Sequence, residues 1–179
     1  TVLTYIWART VKCPNPACGC QMPLVKSFAL RSKKNPKSYF EAIVKKGNGG
    51  GNQITGYKIT DVNPGIGSIK RSKATCVACD EAVTLDYIKE EGKAGRLGTK
   101  LVALVVDMGR GKGYVAPTEA QEKVALETPV EWGPDFKMSD HPQYSAPPRY
   151  GITHFKDLFT NRQLLSLTTL STLIHELHK

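Results

Sequence analysis

No stretch of this sequence approaches the roughly twenty consecutive apolar residues of a membrane-spanning helix, so neither a membrane segment nor a membrane partner is expected. Acidic side chains are in short supply. Sixteen Asp and Glu stand against twenty-five Lys and Arg, and the resulting net charge of +9 favours a polyanionic partner such as nucleic acid. Histidine is scarce too, with four in 179 residues. His175 and His178 lie three apart near the end of the chain without a third partner, and read as solvent-exposed side chains rather than metal ligands. The glycine-rich stretch 92–98 lacks the Gly-Lys-Ser/Thr ending of a nucleotide loop. The other, 47–51, is followed by strand-like residues instead of the helix a phosphate cradle needs, so it reads as a hairpin loop.

What the sequence does hold is five cysteines, four of them in two tight pairs. Cys13-Pro14-Asn15-Pro16-Ala17-Cys18-Gly19 has C-x4-C spacing and Cys76-Val77-Ala78-Cys79 has C-x2-C. Two such turns brought together form a tetrahedral four-thiolate cage, and four filled positions leave no open site for catalysis. The expectation is a structural zinc on Cys13, Cys18, Cys76 and Cys79, contributing folding free energy rather than chemistry. Pro14 and Gly19 suit the first turn, since proline fixes φ and glycine tolerates positive φ. Buried cysteines acting as small hydrophobes are the bland alternative. A thiol oxidoreductase built on Cys76 and Cys79 is a rival that the acidic Asp80 and Glu81 oppose, because nearby carboxylates raise a thiol pKa. Cys20 reads as a spare, inward-facing strand residue that is also able to replace Cys18. Metal-type cysteines without a secretory leader point to a reducing cytoplasm. The chain opens on Thr1-Val2-Leu3 without Met and closes on an unfinished helix, which reads as a piece of a larger protein.

Along the chain, residues 2–12 are β-rich and lead into the first cysteine turn, and 23–30 alternate as a returning strand, so the two make a hairpin with metal at its tip. Residues 38–46 and 56–62 read as further strands, and 67–75 deliver the chain to the second turn. A helix capped by Thr84 and ending at Gly92 follows. Residues 101–108 form the most apolar strand, turning at Gly109-Arg110-Gly111-Lys112-Gly113 into Tyr114-Val115. Thr118 and Gln121 make a capping box for a helix to about residue 127, and Thr160 and Gln163 make a second for a leucine-rich C-terminal helix. Five prolines between 128 and 149 mark a linker or arm. The fold class expected is α+β: a zinc-ribbon-like antiparallel β-sheet with a few helices and a long C-terminal helix. The divisions expected are a ribbon domain at 1–83 with a long insertion between the knuckles, a helix, hairpin and helix at 84–127, a proline-rich arm at 128–159, and a truncated helix at 160–179.

Four stretches add a resemblance: Tyr5-Ile6-Trp7-Ala8-Arg9-Thr10-Val11-Lys12-Cys13-Pro14-Asn15-Pro16-Ala17-Cys18, Glu91-Gly92-Lys93-Ala94-Gly95-Arg96-Leu97-Gly98, Pro117-Thr118-Glu119, and Tyr150-Gly151-Ile152-Thr153 with Asp157-Leu158-Phe159-Thr160-Asn161-Arg162-Gln163-Leu164-Leu165. Together they resemble the adenine-specific DNA methylases that contain a zinc ribbon, over nearly the whole chain. The resemblance implies an insert between the cofactor-binding glycine motif and the catalytic Asn/Asp-Pro-Pro-Tyr motif, with ribbon ligands at Cys13, Cys18, Cys76 and Cys79. It implies S-adenosylmethionine only in the full-length protein, the rest of the methylase as the surface the last helix packs on, and a place in restriction or defence. The catalytic motif itself is missing. In Ala146-Pro147-Pro148-Arg149-Tyr150 alanine stands where a hydrogen-bonding Asn or Asp would grip a flipped adenine, so no methyltransferase activity is expected of this chain alone.

The expected function is thus a non-catalytic insert that contacts DNA. Arg31, Lys33, Lys34, Lys37, Lys70, Arg71, Lys73, Lys93, Arg96, Arg110 and Lys112 are the candidate phosphate contacts, and Asn48, Gln53 and Tyr57 are candidates for base readout. The alternatives are a protein–protein module, with self-association through the C-terminal leucines, and a purely structural brace of the methylase.

Overall fold

The computed structural model describes residues 1–31, 37–47, 49–71, 73–141, 143 and 145–178. Antiparallel sheets and three helices, the last of them long, make it α+β. The chain forms two compact units: Thr1–Glu91 with Arg96–Pro117, and Gly92–Gly95 with Thr118–Lys179.

The first unit holds all ten strands formed by the described residues. Its longest, β1 (Val2–Lys12), is rich in the β-branched and aromatic residues that fit a pleated surface. It pairs antiparallel with β9 (Gly98–Asp107) on one side and with β2 (Gln21–Pro23) on the other, and β10 (Lys112–Val115) extends the sheet beyond β9. Leu101 to Val105 of β9 are all buried, so this strand is covered on both faces, as its unbroken apolar run suggests. A second sheet joins β3 (Ala29–Arg31), β4 (Ser38–Lys46) and β5 (Asn52–Thr60), and a third joins β6 (Ile69–Lys70), β7 (Lys73–Thr75) and β8 (Ala82–Thr84).

The first two sheets meet over a core to which the first gives Ala8 and Val102, the second gives Phe40 and Tyr57, and the segment between β2 and β3 gives Phe28. The aromatic rings stack edge to face, Phe28 on Phe40 at 5.3 Å and Phe40 on Tyr57 at 5.8 Å. The single returning strand expected at 23–30 is in fact two, β2 and β3. Residues 24–28 change partners: Leu24 donates to the Arg9 carbonyl at 2.7 Å, Val25 accepts from Ile69 at 2.9 Å, and Ser27 bridges to Ile66. The alternation of 23–30 was legible, but not the switch of sheets.

Helix α1 (Leu85–Lys93) starts as expected, the Thr84 hydroxyl accepting from Tyr87 N–H at 3.1 Å. It stops later than Gly92. Arg96 N–H reaches the Glu91 carbonyl at 2.8 Å and Gly95 N–H the Gly92 carbonyl at 2.9 Å, with Gly95 at φ +70°, which is a Schellman ending whose left-handed position is Gly95. Just inside this ending, the largely buried Glu91 carboxylate takes two guanidinium hydrogen bonds from Arg96, at 2.6 and 3.0 Å. Those bonds outweigh burial and hold the Glu91 carboxyl below its ordinary range. A depressed carboxyl contributes stability above the ordinary carboxylate range and loses it as pH falls through the folded value. Arg96→Ala is therefore expected to cost about 1–2 kcal/mol at neutral pH, and less at about pH 3, in denaturant melts of the two proteins. An equal cost at both values would show that the pair contributes no charge-dependent stability.

In the second unit α2 (Glu119–Glu127) packs against α3 (Asn161–Leu177), and both expected capping boxes are present, Thr118 with Gln121 and Thr160 with Gln163. The proline-rich stretch is locally built rather than featureless. It carries 3-10 turns at Pro147–Tyr150 and Phe155–Leu158, and a bridge from Lys137 to His154 flanked by Met138 N–H on the Thr153 carbonyl at 2.7 Å. Gly92 and Gly151 approach backbone to backbone, close enough that a Cβ on Gly92 would stand 2.6 Å from the Tyr150 carbonyl carbon. On α3 only Leu164 is buried, while Leu167, Leu170, Leu173, Ile174 and Leu177 are exposed. Among the described residues no helix is long and apolar enough to cross a membrane.

Candidate metal centre

The cysteine turns are two strand connections of the first unit that lie far apart in the sequence. Cys13, Cys18 and Cys20 sit in the connection from β1 to β2, which Cys13 N–H closes on the Cys20 carbonyl at 2.8 Å. Cys76 and Cys79 sit between β7 and β8, where Cys76 N–H donates to the Glu81 carbonyl at 2.9 Å. The two turns share one geometry despite their different spacing. Gly19 N–H reaches back to the Asn15 carbonyl at 2.9 Å and Asp80 N–H to the Cys76 carbonyl at 3.0 Å. The residue after the second cysteine is left-handed in each, Gly19 at φ +62° and Asp80 at φ +59°. Aspartate is among the few residues other than glycine that tolerate that conformation.

The result is a cluster in which the sulfurs of Cys13, Cys18, Cys76 and Cys79 all lie within 4.8 Å of one another. Cys13 to Cys79 is 3.7 Å and Cys18 to Cys76 is 3.9 Å. A tetrahedron with metal–sulfur distances of about 2.3 Å has sulfur–sulfur edges of about 3.8 Å, so the four thiols fit a four-thiolate metal site. Cys13, Cys18 and Cys76 are buried and Cys79 is partly exposed.

Sequence reading missed the groups that orient these sulfurs. The Asn52 side-chain amide donates to Cys18 Sγ at 3.6 Å and to the Ala78 carbonyl at 3.0 Å, tying the two turns together, while its backbone N–H donates to the Cys18 carbonyl at 3.1 Å. Asn15 folds its own turn, accepting from Ala17 N–H at 2.9 Å, and faces Cys79 Sγ at 3.9 Å. The glycine-rich connection of β4 to β5 is the hairpin loop expected, and Gly51 in it has a steric reason: a Cβ there would stand 2.9 Å from the Cys18 carbonyl oxygen. Only the glycine-rich run next to Asn52 hinted that another part of the chain approaches here.

Electrostatics within the cluster are uneven. Hydrogen bonding from the Cys20 thiol lowers Cys76 to about 5 against the effect of burial, with the Ala78 N–H helping. Burial acts against Cys18, yet the Cys20 N–H and the neighbouring thiols bring it below its usual value. Cys20 moves up, because its thiol is the donor to Cys76 and because it is buried. Burial also raises Cys13 and Cys79. Glu81 touches Cys79 through its backbone, and its N–H favours the Cys79 thiolate against burial.

The candidate phosphate contacts separate into groups. The Arg31 guanidinium donates to the Lys112 carbonyl and lies 5.5 Å over the Tyr114 ring, whose hydroxyl donates to the Leu30 carbonyl at 3.0 Å. Arg110 belongs to the same β9–β10 turn, and Lys37 precedes Ser38, the partner of Arg31. Lys70, Arg71 and Lys73 form the tip of the β6–β7 hairpin, where Lys70 and Lys73 are directly opposed. Arg96 is engaged by Glu91, and Lys93 is exposed at the end of α1. Lys33, Lys34 and Asn48 lie outside the described residues. Of the other base-readout candidates, Gln53 is exposed while Tyr57 is buried in the core, which removes it from any such role. No protein-family model, curated protein or solved structure matches the chain.

Proposed function

We propose that the chain is a zinc-ribbon insert of an S-adenosylmethionine-dependent N6-adenine DNA methyltransferase, holding structural zinc at Cys13, Cys18, Cys76 and Cys79 and contacting DNA phosphates. The methylase part of this reading rests on the sequence resemblance, and the zinc on the spacing of the four sulfurs. The DNA part is carried by one observation. The β6–β7 tip, which ends three residues before Cys76, opposes Lys70 to Lys73 with Arg71 between them, all exposed and without a carboxylate ion pair among the described residues. Like charges directly opposed across a ladder destabilise it, and a polyanion relieves the repulsion. Phosphate contact gives affinity and register, with recognition of sequence left to other groups. The parent enzyme supplies S-adenosylmethionine binding and catalysis, and the exposed α3 leucines are the surface for the rest of that chain or for a second copy.

Fluorescence anisotropy of the metal-loaded chain with a labelled DNA duplex at several salt concentrations tests the DNA reading. Binding that weakens steeply with salt is expected. Replacing Lys70, Arg71 and Lys73 by Gln should lower the slope of log K on log salt by about 2 to 3, at about 0.9 per phosphate contact. An unchanged slope would place the contacts elsewhere, and absence of binding at low salt would leave the protein–protein role through α3.

A further inference from the structure

Cys20 is the sulfur that the four-thiol set leaves over, yet it touches that set. Its Sγ lies 3.5 Å from Cys76 Sγ, closer than Cys13 to Cys79 or Cys18 to Cys76. Backbone hydrogen bonds fix both residues, Cys20 through its carbonyl on Cys13 N–H and Cys76 through its N–H on the Glu81 carbonyl. The two residues are 3% and 0% exposed, which keeps bulky reagents from them, and Cys79 in the same cluster is partly exposed.

We propose that Cys20 and Cys76 are an oxidation site: a peroxide converts the pair to a disulfide and thereby removes Cys76 from the metal-binding set. This rests on the metal-centre reading above. The Cys76 thiolate sulfur attacks one peroxide oxygen, the O–O bond breaks, hydroxide leaves, and Cys76 becomes a sulfenic acid. The Cys20 sulfur then attacks the Cys76 sulfur, the S–O bond breaks, and the S–S bond forms. The departing hydroxide takes the Cys20 proton as water, and the first hydroxide takes one from solvent. The two sulfurs give up two electrons in all, and hydrogen peroxide is reduced to two waters. Forming a bond of about 2.05 Å requires the sulfurs to close by about 1.5 Å, within the reach of small side-chain rotations. The set left behind, Cys13, Cys18 and Cys79, has three thiolates where a closed structural site needs four, so the metal is released. Cys20 thus makes a structural centre sensitive to oxidant, and a dithiol reductant with fresh metal restores it.

The test uses the full chain after its metal content has been read by elemental analysis. Hydrogen peroxide is added, metal release is followed with a chromogenic chelator, and linkages are located by fragmentation of non-reduced peptides. Cys20 joined to Cys76 should be the dominant linkage, and release should be about tenfold slower in Cys20→Ser, or in Cys20→Ala if the serine variant does not fold. A dominant Cys13–Cys79 linkage, or equal release rates with and without Cys20, overturns the proposal. Absence of metal before treatment refutes the metal-centre reading separately, and linkage mapping on that protein still decides whether Cys20 and Cys76 pair.

Discussion

Serine at both Cys76 and Cys79 is expected to abolish metal binding and to unfold the metal-bearing end of the first unit. The strands around the second turn are too small to stand alone: β6 has two residues, and β7 and β8 have three each. Sheets of that length gain little from their own hydrogen bonds. They are held by the hydrogen bonds of Ser68 and Ile69 to Val25, by the buried Ala74 and Val83, and by the contact of the second turn with the first, in which four sulfurs meet. A structural zinc site contributes about 10–16 kcal/mol of apparent binding free energy, comparable with the 5–15 kcal/mol of a whole domain, so its loss exceeds what the local packing can supply. Burial adds to the cost, since a serine hydroxyl at the fully buried position 76 has no metal to bind. Elemental analysis should give about one zinc per wild-type chain and none in the double variant. Circular dichroism should show loss of β-structure in the variant, and a chelator should do the same to wild type. Wild-type protein that holds no metal, with the double variant melting at the same temperature, would make the cluster an ordinary buried group of cysteines.

The parts of the fold legible in the sequence are those set by local patterns. The strand at 2–12, the strand at 38–46 and the two capping boxes depend on side chains within a few residues of one another, and they occur where those side chains are. The four-sulfur set was equally legible, because the ligands announce themselves in close pairs. What could not be read depends on partners distant in sequence. Residues 23–30 alternate like one strand but change sheets, because Ser68 and Ile69 capture the chain at Val25. Asn52 reads as the end of the glycine-rich loop, and its bond to Cys18 spans 34 positions. Tyr57 is one of the aromatic residues suited to base stacking, and only the assembled core shows that Phe40 already covers it. Arg96 read as a free cation until the helix ending brought it back onto Glu91.

Two glycines carry the second large effect, and they belong to separate motifs of the sequence resemblance, one in Glu91-Gly92-Lys93 and one in Tyr150-Gly151-Ile152. Gly151→Ala is expected to destabilise the second unit by about 3 kcal/mol or more, since two costs coincide there. Gly151 has φ +78°, and a Cβ on it would stand 2.9 Å from Lys93 N and closer still to the Gly92 carbonyl oxygen. Both obstacles are backbone, so no side-chain rotation relieves them. Gly95→Ala separates the two contributions. Its φ of +70° is similar, but nothing lies within 4 Å of an added Cβ, so only the left-handed conformation is penalised, by about 1 kcal/mol. Gly92→Ala supplies the converse, with obstruction by Tyr150 backbone and no left-handed conformation. Hydrogen exchange of the α2 and α3 amides reads the effect where it arises. Protection should fall most for Gly151→Ala, next for Gly92→Ala and least for Gly95→Ala, because only the first combines strain with collision. Equal losses at Gly151 and Gly95 would mean that the close approach contributes nothing, and that the two motifs meet without depending on each other.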